Sequence, residues 1–162
     1  MNTDAGLVYT GPAANSFTGL AHLDGKTIYI ITDTGAFYPV RVSGGTATLP
    51  TGVTTTVAEF GLPFVSTLQT LRLELQTPAG TSQVRRKRWN RVALRLYCTL
   101  GAPTVDGEPI TYPLAADRPY TGDVTLHPPK GWDTDGAMVI RQADPRPCTA
   151  LAITGDVELA DA

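Results

Sequence analysis

The residues best suited to chemistry form a basic block that leads straight into an aromatic side chain. The candidate contact residues of this block and the strand after it are Arg85, Arg86, Lys87, Arg88, Trp89, Arg91 and Arg95. They include six of the chain's 13 Lys and Arg residues, although the formal net charge of the whole chain is −2. Cationic side chains bind phosphate oxygens, and an indole beside them offers a face on which a base can stack. The block therefore predicts a surface that contacts an anionic partner.

The basic block has three functional interpretations, and an ordinary solvated strand edge is a fourth. The block could contact nucleic-acid phosphates, act as a short localisation patch, or bridge to an acidic face of a neighbouring copy. Residues 101–162 supply such a face, since they hold ten Asp and Glu residues against four Lys and Arg residues. Because self-complementary molecules associate head to tail and can close into rings, this charge asymmetry favours self-association.

No catalytic set accompanies the block in the sequence. His22 and His127 are the only histidines, and neither neighbours a Ser or Cys in a nucleophile motif. The segment Asp133-Thr134-Asp135-Gly136 begins like a calcium loop, but an EF-hand loop has Gly at position six and Glu at position twelve. Here Gly136 stands at position four and Asp144 at position twelve, so an Asp-Gly turn is favoured. We expect no cofactor and no metal.

A carboxylate pair of the glycoside-hydrolase type is left open by the sequence. The candidates all lie at predicted turns, where Asp is favoured for backbone reasons: Asp123, Asp133, Asp135 and Asp144. We therefore expect a protein that is not an enzyme.

Composition points to a β-rich protein without a membrane span. Charged residues make up 17% of the chain, below the fraction of about 25% typical of soluble domains. Such a surface fits either a β protein that buries area in an assembly or an ordinary β domain rich in Thr. No apolar run approaches the about 20 residues of a membrane helix. Because the first residues lack a basic start and an apolar run, we expect no signal peptide.

Turn signals recur about every eight to ten residues, a spacing typical of a small sandwich or barrel. Asp24-Gly25 predicts a hairpin turn, and Gly61-Leu62-Pro63-Phe64 predicts an interruption. The predicted strands span 18–23, 27–32, 36–42, 46–49, 53–60, 68–75, 91–100, 110–112, 122–126, 138–142 and 150–154. The predicted fold class is all-β, with small barrel or sandwich subdomains, antiparallel meanders and little or no helix. We divide the chain into an extended arm or linker (1–16), a small β subdomain (17–62) and a sandwich-like subdomain (63–162).

Alternation of apolar and polar residues assigns the faces of two predicted strands. The predicted core-facing residues are Leu71, Leu73 and Leu75 in 68–75, and Val92, Leu94, Leu96 and Cys98 in 91–100. Trp89, Arg91 and Arg95 are expected on the face opposite the core. Cys98 is thus expected to be a small core residue rather than half of a disulfide with Cys148.

Six groups of short motifs follow one another from about Asp4 to Ala160. They are Asp4-Ala5-Gly6-Leu7 with Tyr9-Thr10-Gly11, Gly19 to Lys26, Val42-Ser43-Gly44-Gly45, Phe60 to Phe64, Gly80-Thr81-Ser82-Gln83 with the basic block, and Ile140-Arg141-Gln142 with Asp144-Pro145-Arg146-Pro147. In this order and spacing they resemble the C-terminal region of the tail tubular protein B, or nozzle, family of short-tailed bacteriophages. The family pattern differs in having Gly where this chain has Val84, and the family proteins are longer.

The resemblance implies a structural role. In that family a ring of copies lies below the portal and adaptor at the distal end of the tail, and genomic DNA passes through its lumen. The partners implied are other copies of the chain, the tail adaptor and fibre proteins, and DNA in transit. The implied location is the virion, assembled in the host cytoplasm, with the basic block contacting a neighbouring subunit or tail component.

Two binding functions are the alternatives. A nucleic-acid-binding module would use the basic block and Trp89, with affinity that falls steeply with salt. A carbohydrate-binding β domain would present Trp132, Tyr120 and Tyr112 as a platform for a sugar.

Overall fold

A computed structural model describes residues 3–78, 80–113 and 118–160 of the chain. Within these residues the protein is all-β, as predicted, and the paired strands are antiparallel. The helical content of the described part is a single 3-10 turn, Ala21–Leu23. The strands form three larger sheets and two small two-stranded ribbons.

The first half of the chain builds one four-stranded sheet and one ribbon. Its strands are β1 (Thr3–Ala14), β2 (Ser16–Phe17), β3 (Thr27–Thr32), β4 (Phe37–Arg41), β5 (Ala47–Thr48) and β6 (Thr55–Pro63). The sheet has the order β1-β6-β3-β4, and β2 pairs with β5. Ile28 and Ile30 of β3 belong to one buried cluster with Phe17 and Phe60. The Phe17 ring lies 4.8 Å from that of Phe60 and 5.0 Å from that of Tyr9, so aromatic packing joins the ribbon to the sheet.

The segment predicted as an extended arm is a strand of this sheet over residues 3–14. β1 pairs with β6 from the Thr3–Pro63 pair to the Ala14–Thr55 pair, with two irregularities of register between them. Most of its side chains are exposed on both faces of the sheet. A strand exposed on both faces has no apolar alternation, which is why the sequence pattern did not indicate one.

Two further predictions in this half are wrong. Residues 18–23 are not a strand, because the chain bends into the 3-10 turn, where the Leu23 N–H donates to the Leu20 carbonyl. Residues 61–63 are not an interruption, because β6 continues to Pro63. A Cβ added at Gly61 would lie 2.5 Å from Cβ of Thr3, so this glycine permits the close approach of β1 rather than a turn.

The second half builds two sheets and a ribbon. Its strands are β7 (Ser66–Gln69), β8 (Gln76–Thr77), β9 (Gly80–Thr81), β10 (Lys87–Thr99), β11 (Thr104–Val105), β12 (Glu108–Pro109), β13 (Tyr120–Leu126), β14 (Val139–Gln142) and β15 (Ala150–Leu159). One sheet has the order β13-β10-β15, the other has the order β12-β11-β14-β7, and β8 pairs with β9. Leu94 and Leu96 of β10 share one buried cluster with Val105 and Ile140 of the other sheet. The two sheets therefore pack through a common apolar core.

Two β-bulges shift the faces of β10. The register with β15 slips between Trp89 and Arg91, and the register with β13 slips between Leu96 and Thr99. Val92, Leu94 and Leu96 are buried as predicted. Cys98 is exposed, with φ of 44°, and Thr99 is buried in its place. The prediction that Cys98 lies in the core is thus wrong, because one extra residue in a strand moves every later side chain to the other face.

The strand predicted over 68–75 is mostly absent. β7 ends at Gln69, and Leu71 is 90% exposed instead of facing the core. Beyond β7 the chain follows residues 135–138 through isolated hydrogen bonds, in which the N–H groups of Thr70 and Leu73 donate to the carbonyls of Met138 and Asp135. Residues 110–112 are likewise not a strand.

Candidate functional site

The basic block is divided by the fold, and its third cation is buried. Lys87 has no exposed surface, and its Nζ donates to the carbonyls of Thr134 at 2.8 Å and Arg85 at 3.2 Å. Its backbone N–H and carbonyl also pair with the carbonyl and N–H of Asp133, at 2.6 and 2.8 Å. Two carbonyl acceptors keep the buried ammonium hydrogen-bonded. Lys87 is therefore a structural residue that cannot reach a phosphate outside the molecule.

A glycine leaves room for the buried side chain of Lys87. Gly136 has φ of 59°, and a Cβ there would lie 3.1 Å from Cδ of Lys87 and 3.3 Å from Cβ of Leu73. The predicted Asp-Gly turn therefore packs directly against the Lys87 side chain and covers it. Its two carboxylates are held by cations of the same chain, since Asp133 pairs with Lys130 at 2.5 Å and Asp135 pairs with Arg72 at 2.9 Å.

Three arginines of β10 form ion pairs with the residues directly opposite them on the neighbouring strands. Arg88 faces Glu158 at 2.7 Å and Arg91 faces Asp156 at 3.0 Å, both across to β15. A third pair joins Arg95 to Asp123 of β13, with Nε–Oδ1 at 2.7 Å and Nη2–Oδ2 at 2.8 Å. We call these six residues the arginine ladder. Opposite charges at facing positions stabilise a sheet, so these cations are neutralised inside the chain.

Hydrogen bonding across the ladder alters two ionisation equilibria. The two bonds from Arg95 hold the pKa of Asp123 below its usual value of 3.8, and the carboxylate raises the pKa of Arg95 in turn. A carboxylate in such a pair keeps its charge at any physiological pH. The charge pattern predicted that the acidic residues of the C-terminal half contact other copies, whereas the three carboxylates of the ladder form ion pairs within one copy.

Contrary to the prediction, Trp89 does not lie on the outer face with Arg91 and Arg95. Because of the bulge at Asn90, its ring packs against the core of the second half, and its Nε1 donates to the Gly136 carbonyl at 2.8 Å. Its indole is therefore fixed by the fold and is not free to stack on a base. The face outside β10 carries Arg91 and Arg95, as predicted.

Arg85 and Arg86 are the two members of the block that stay outside the ladder. They lie beside a turn in which the Arg85 N–H donates to the Ser82 carbonyl at 3.1 Å. Nη2 of Arg86 donates to the Trp132 carbonyl at 3.3 Å. Within the described ranges, no carboxylate lies in ion-pair distance of either guanidinium. These two side chains are the part of the predicted site that can still meet an external anion.

The aromatic residues proposed as a sugar platform do not form one. Tyr112 is buried, and its hydroxyl donates to the Gly101 carbonyl. Burial raises its pKa to about 12. The Arg88 guanidinium lies over the Trp132 ring, 5.1 Å from its centroid. A platform of three exposed rings is therefore excluded.

The remaining candidates for chemistry are dispersed. In the part of the chain that the structure describes, no group of three or more His, Cys, Asp or Glu residues could hold a metal ion. His22 is exposed, and His127 donates from Nδ1 to the Asn90 carbonyl at 2.8 Å. Cys98 and Cys148 are both free thiols, and burial raises the pKa of the Cys148 thiol. A raised pKa disfavours the thiolate that a nucleophile needs.

The local sequence pattern does not identify the acidic partners of the ladder. Asp123, Asp156 and Glu158 are identified only once the register of three strands is known, because they lie far from the arginines in the chain. Their signal in the sequence is a carboxylate on each strand that flanks an arginine-rich strand. Such a signal fits many registers, so it does not identify the pairs.

No helix among residues 3–78, 80–113 and 118–160 is long and apolar enough to cross a membrane. A scan against models of known protein families finds no match for this chain, and a search of curated proteins finds no significant relative.

Proposed function

We propose that this chain is a structural module of the tail tube or nozzle of a short-tailed bacteriophage. In this role it is one copy of a ring through which genomic DNA passes during ejection, and it is not an enzyme. Its partners are other copies of itself and the tail adaptor and fibre proteins, and it resides in the virion. The ordered motifs from Asp4 to Ala160 carry the phage part of this proposal.

One structural observation supports an assembly role most directly. β1 and β15, with 12 and ten residues, each pair with a single neighbour, so each leaves a long unpaired edge in the described part of the chain. Natural monomers usually protect such edges, whereas subunits of assemblies use them for pairing. Leu7, Val8 and Leu151 on these strands are large apolar residues with exposed side chains. An exposed apolar edge fits a subunit better than an isolated domain.

The arginine ladder also supports a passive role toward DNA. A lumen through which DNA slides has to avoid tight phosphate binding, and three arginines of the candidate site are paired with carboxylates of the same chain. Neutralised cations release few counterions, so they contribute little affinity for nucleic acid.

The test is the location of the protein in particles. Virions of a phage that encodes this chain should contain it in several copies per particle, as measured by quantitative mass spectrometry. Gold-labelled antibody should mark the tail tip in electron micrographs. Absence of the chain from purified virions, or label on the capsid alone, would reject the proposal.

A nucleic-acid-binding module is the second candidate function. It is favoured by Arg85 and Arg86 alone, because these cations lie outside the ladder. A fragment of duplex DNA at low salt is the appropriate probe, and the expected affinity is low because only two cations remain available.

A further inference from the structure

The open edge of β15 has few of the devices that usually prevent strands from pairing between molecules, and its one β-bulge lies near its start, where Leu151 has no partner residue on β10. β15 is the last strand in the order β13-β10-β15, and its other edge has no partner strand within the described residues. Its sequence, ALAITGDVEL, contains no Lys, Arg or Pro. Natural edge strands are usually short, or they carry Lys or Pro that blocks further pairing. This ten-residue edge is therefore suited to accept another strand.

Two cavities lie beside this edge, between β15 and the segment that contains β7. One has a volume of about 240 Å³ and is lined by Leu68, Ile140 and Ala150, among others. The other has a volume of about 410 Å³ and is lined by Leu71, Trp89, Met138 and Ile153, among others. Both are mostly apolar, so a strand added to β15 would find room for apolar side chains beneath it.

The charge on β15 does not repel a second copy. Its two carboxylates, Asp156 and Glu158, are held by Arg91 and Arg88 of the same chain at 3.0 and 2.7 Å. The strand therefore presents a nearly neutral edge even though the chain is acidic overall. Between Ala150 and Gly155 it carries no charged residue at all.

The first half of the molecule offers a matching strand. β1 pairs only with β6, and its other edge is open. Leu7 and Val8 on it are 41% and 68% exposed, although they are successive residues that point to opposite faces. A groove of about 310 Å³ beside them is lined by Phe17 and Phe60, among others. Asp4 is the one charged residue of this strand, and Pro12 and the two irregularities of register leave residues 7–10 as its regular stretch.

We infer that the open edge of β15 in one copy pairs with the open edge of β1 in the next copy. This inference rests on the proposed function, since it names the contact through which copies would join. Regular backbone pairing along residues 7–10 of β1 spans about 14 Å, so side chains seated in the cavities have to supply most of the about 1,000 Å² that a specific interface buries in total. The contact joins two different surfaces, so it repeats from copy to copy and generates a ring or a filament.

The experiment uses two lysine variants at exposed positions, studied by sedimentation velocity over a range of concentrations. The wild-type chain should associate into species larger than a dimer. Leu151→Lys on β15 and Val8→Lys on β1 should each weaken association at least tenfold. An equimolar mixture of the two should form dimers and nothing larger, because one intact β1 edge and one intact β15 edge remain. Val84→Lys is the matched control, since Val84 is 88% exposed on a different surface.

The outcomes separate this inference from the proposed function. Circular dichroism and thermal unfolding of each variant establish that it is folded. A monomeric wild type would overturn the edge pairing. Association that neither lysine weakens would also overturn it, while leaving a ring built through other surfaces. Dimers formed by Val8→Lys alone would show that β15 pairs with itself. The virion measurement above tests the phage role independently of all three results.

Discussion

Arg95 and Asp123 face each other in register on β10 and β13, and their side chains form a two-bond ion pair on the outer face of the sheet. With Arg88 and Arg91 paired to β15, every strand of this sheet is connected by at least one arginine–carboxylate pair. The outer face of the sheet therefore carries several charged side chains, and each of these three arginines has a carboxylate beside it.

The Arg95–Asp123 pair should make stability depend on acid pH. The pKa of Asp123 in the folded state lies below the usual value of 3.8. The pair's contribution to the free energy of unfolding is therefore complete above about pH 5 and is lost as the pH falls through the folded pKa. Urea unfolding from pH 7 to pH 2 should show a smaller loss of stability for Arg95→Gln than for the wild type. The Asp123 pKa, followed by NMR, should rise in this variant.

Arg86→Gln is the control for this comparison, because Arg86 has no carboxylate in ion-pair distance among the described residues. Its pH profile should match that of the wild type. An unchanged Asp123 pKa in Arg95→Gln would contradict the pairing.

The arginine ladder shows where sequence reasoning succeeds and where it stops. The apolar face of β10 at Val92, Leu94 and Leu96 was predicted, because strict alternation survives between the two bulges. The faces of Trp89 and Cys98 were mispredicted, because a bulge at either end adds a residue that alternation does not show. Bulges depend on the register between strands distant in sequence, so local pattern alone does not locate them.

The strand predicted over 150–154 stops before Gly155. The strand continues to Leu159, and a Cβ at Gly155 would collide with the carbonyl of Arg91. This glycine thus permits close approach of β10 rather than a turn. One residue type serves both purposes, and only the neighbouring strand distinguishes them.

Lys87 should be the most sensitive member of the basic block for stability. Lys87→Ala removes a fully buried side chain and leaves the carbonyls of Arg85 and Thr134 without their donor. We expect a loss of about 2–4 kcal/mol in the free energy of unfolding, measured by urea denaturation. Lys87→Met keeps most of the volume and should lose less than Lys87→Ala.

Arg86→Ala provides the comparison for Lys87, because Arg86 lies on the surface of the same block. An exposed substitution of this kind should change the free energy of unfolding by less than about 0.5 kcal/mol. Equal effects of Lys87→Ala and Arg86→Ala would show that Lys87 is not buried in solution.

The two thiols should react at very different rates in the folded protein. Cys98 is exposed at the bulge of β10, whereas Cys148 is half-buried and its burial raises the thiol pKa. Titration with a thiol reagent at pH 8 should therefore label Cys98 at least tenfold faster than Cys148, since the thiolate is the reacting form. Cys98→Ser should abolish the fast phase, and in denaturant both thiols should react quickly. A fast phase that survives in Cys98→Ser would contradict the placement of Cys98.

Binding to duplex DNA should be weak and should depend little on salt. The slope of log affinity against log salt is about −0.9 per neutralised phosphate, so Arg85 and Arg86 acting alone predict a slope of about −2. The five arginines of the block and strand together would give about −4.5, since the buried Lys87 does not reach a phosphate. Arg85→Ala combined with Arg86→Ala should remove the binding measured by fluorescence anisotropy at low salt. Arg91→Ala combined with Arg95→Ala should leave it unchanged, because both arginines are engaged with carboxylates. A slope of about −4.5, or loss of binding in the second variant, would mean that the arginine ladder opens and turns its cations toward phosphate.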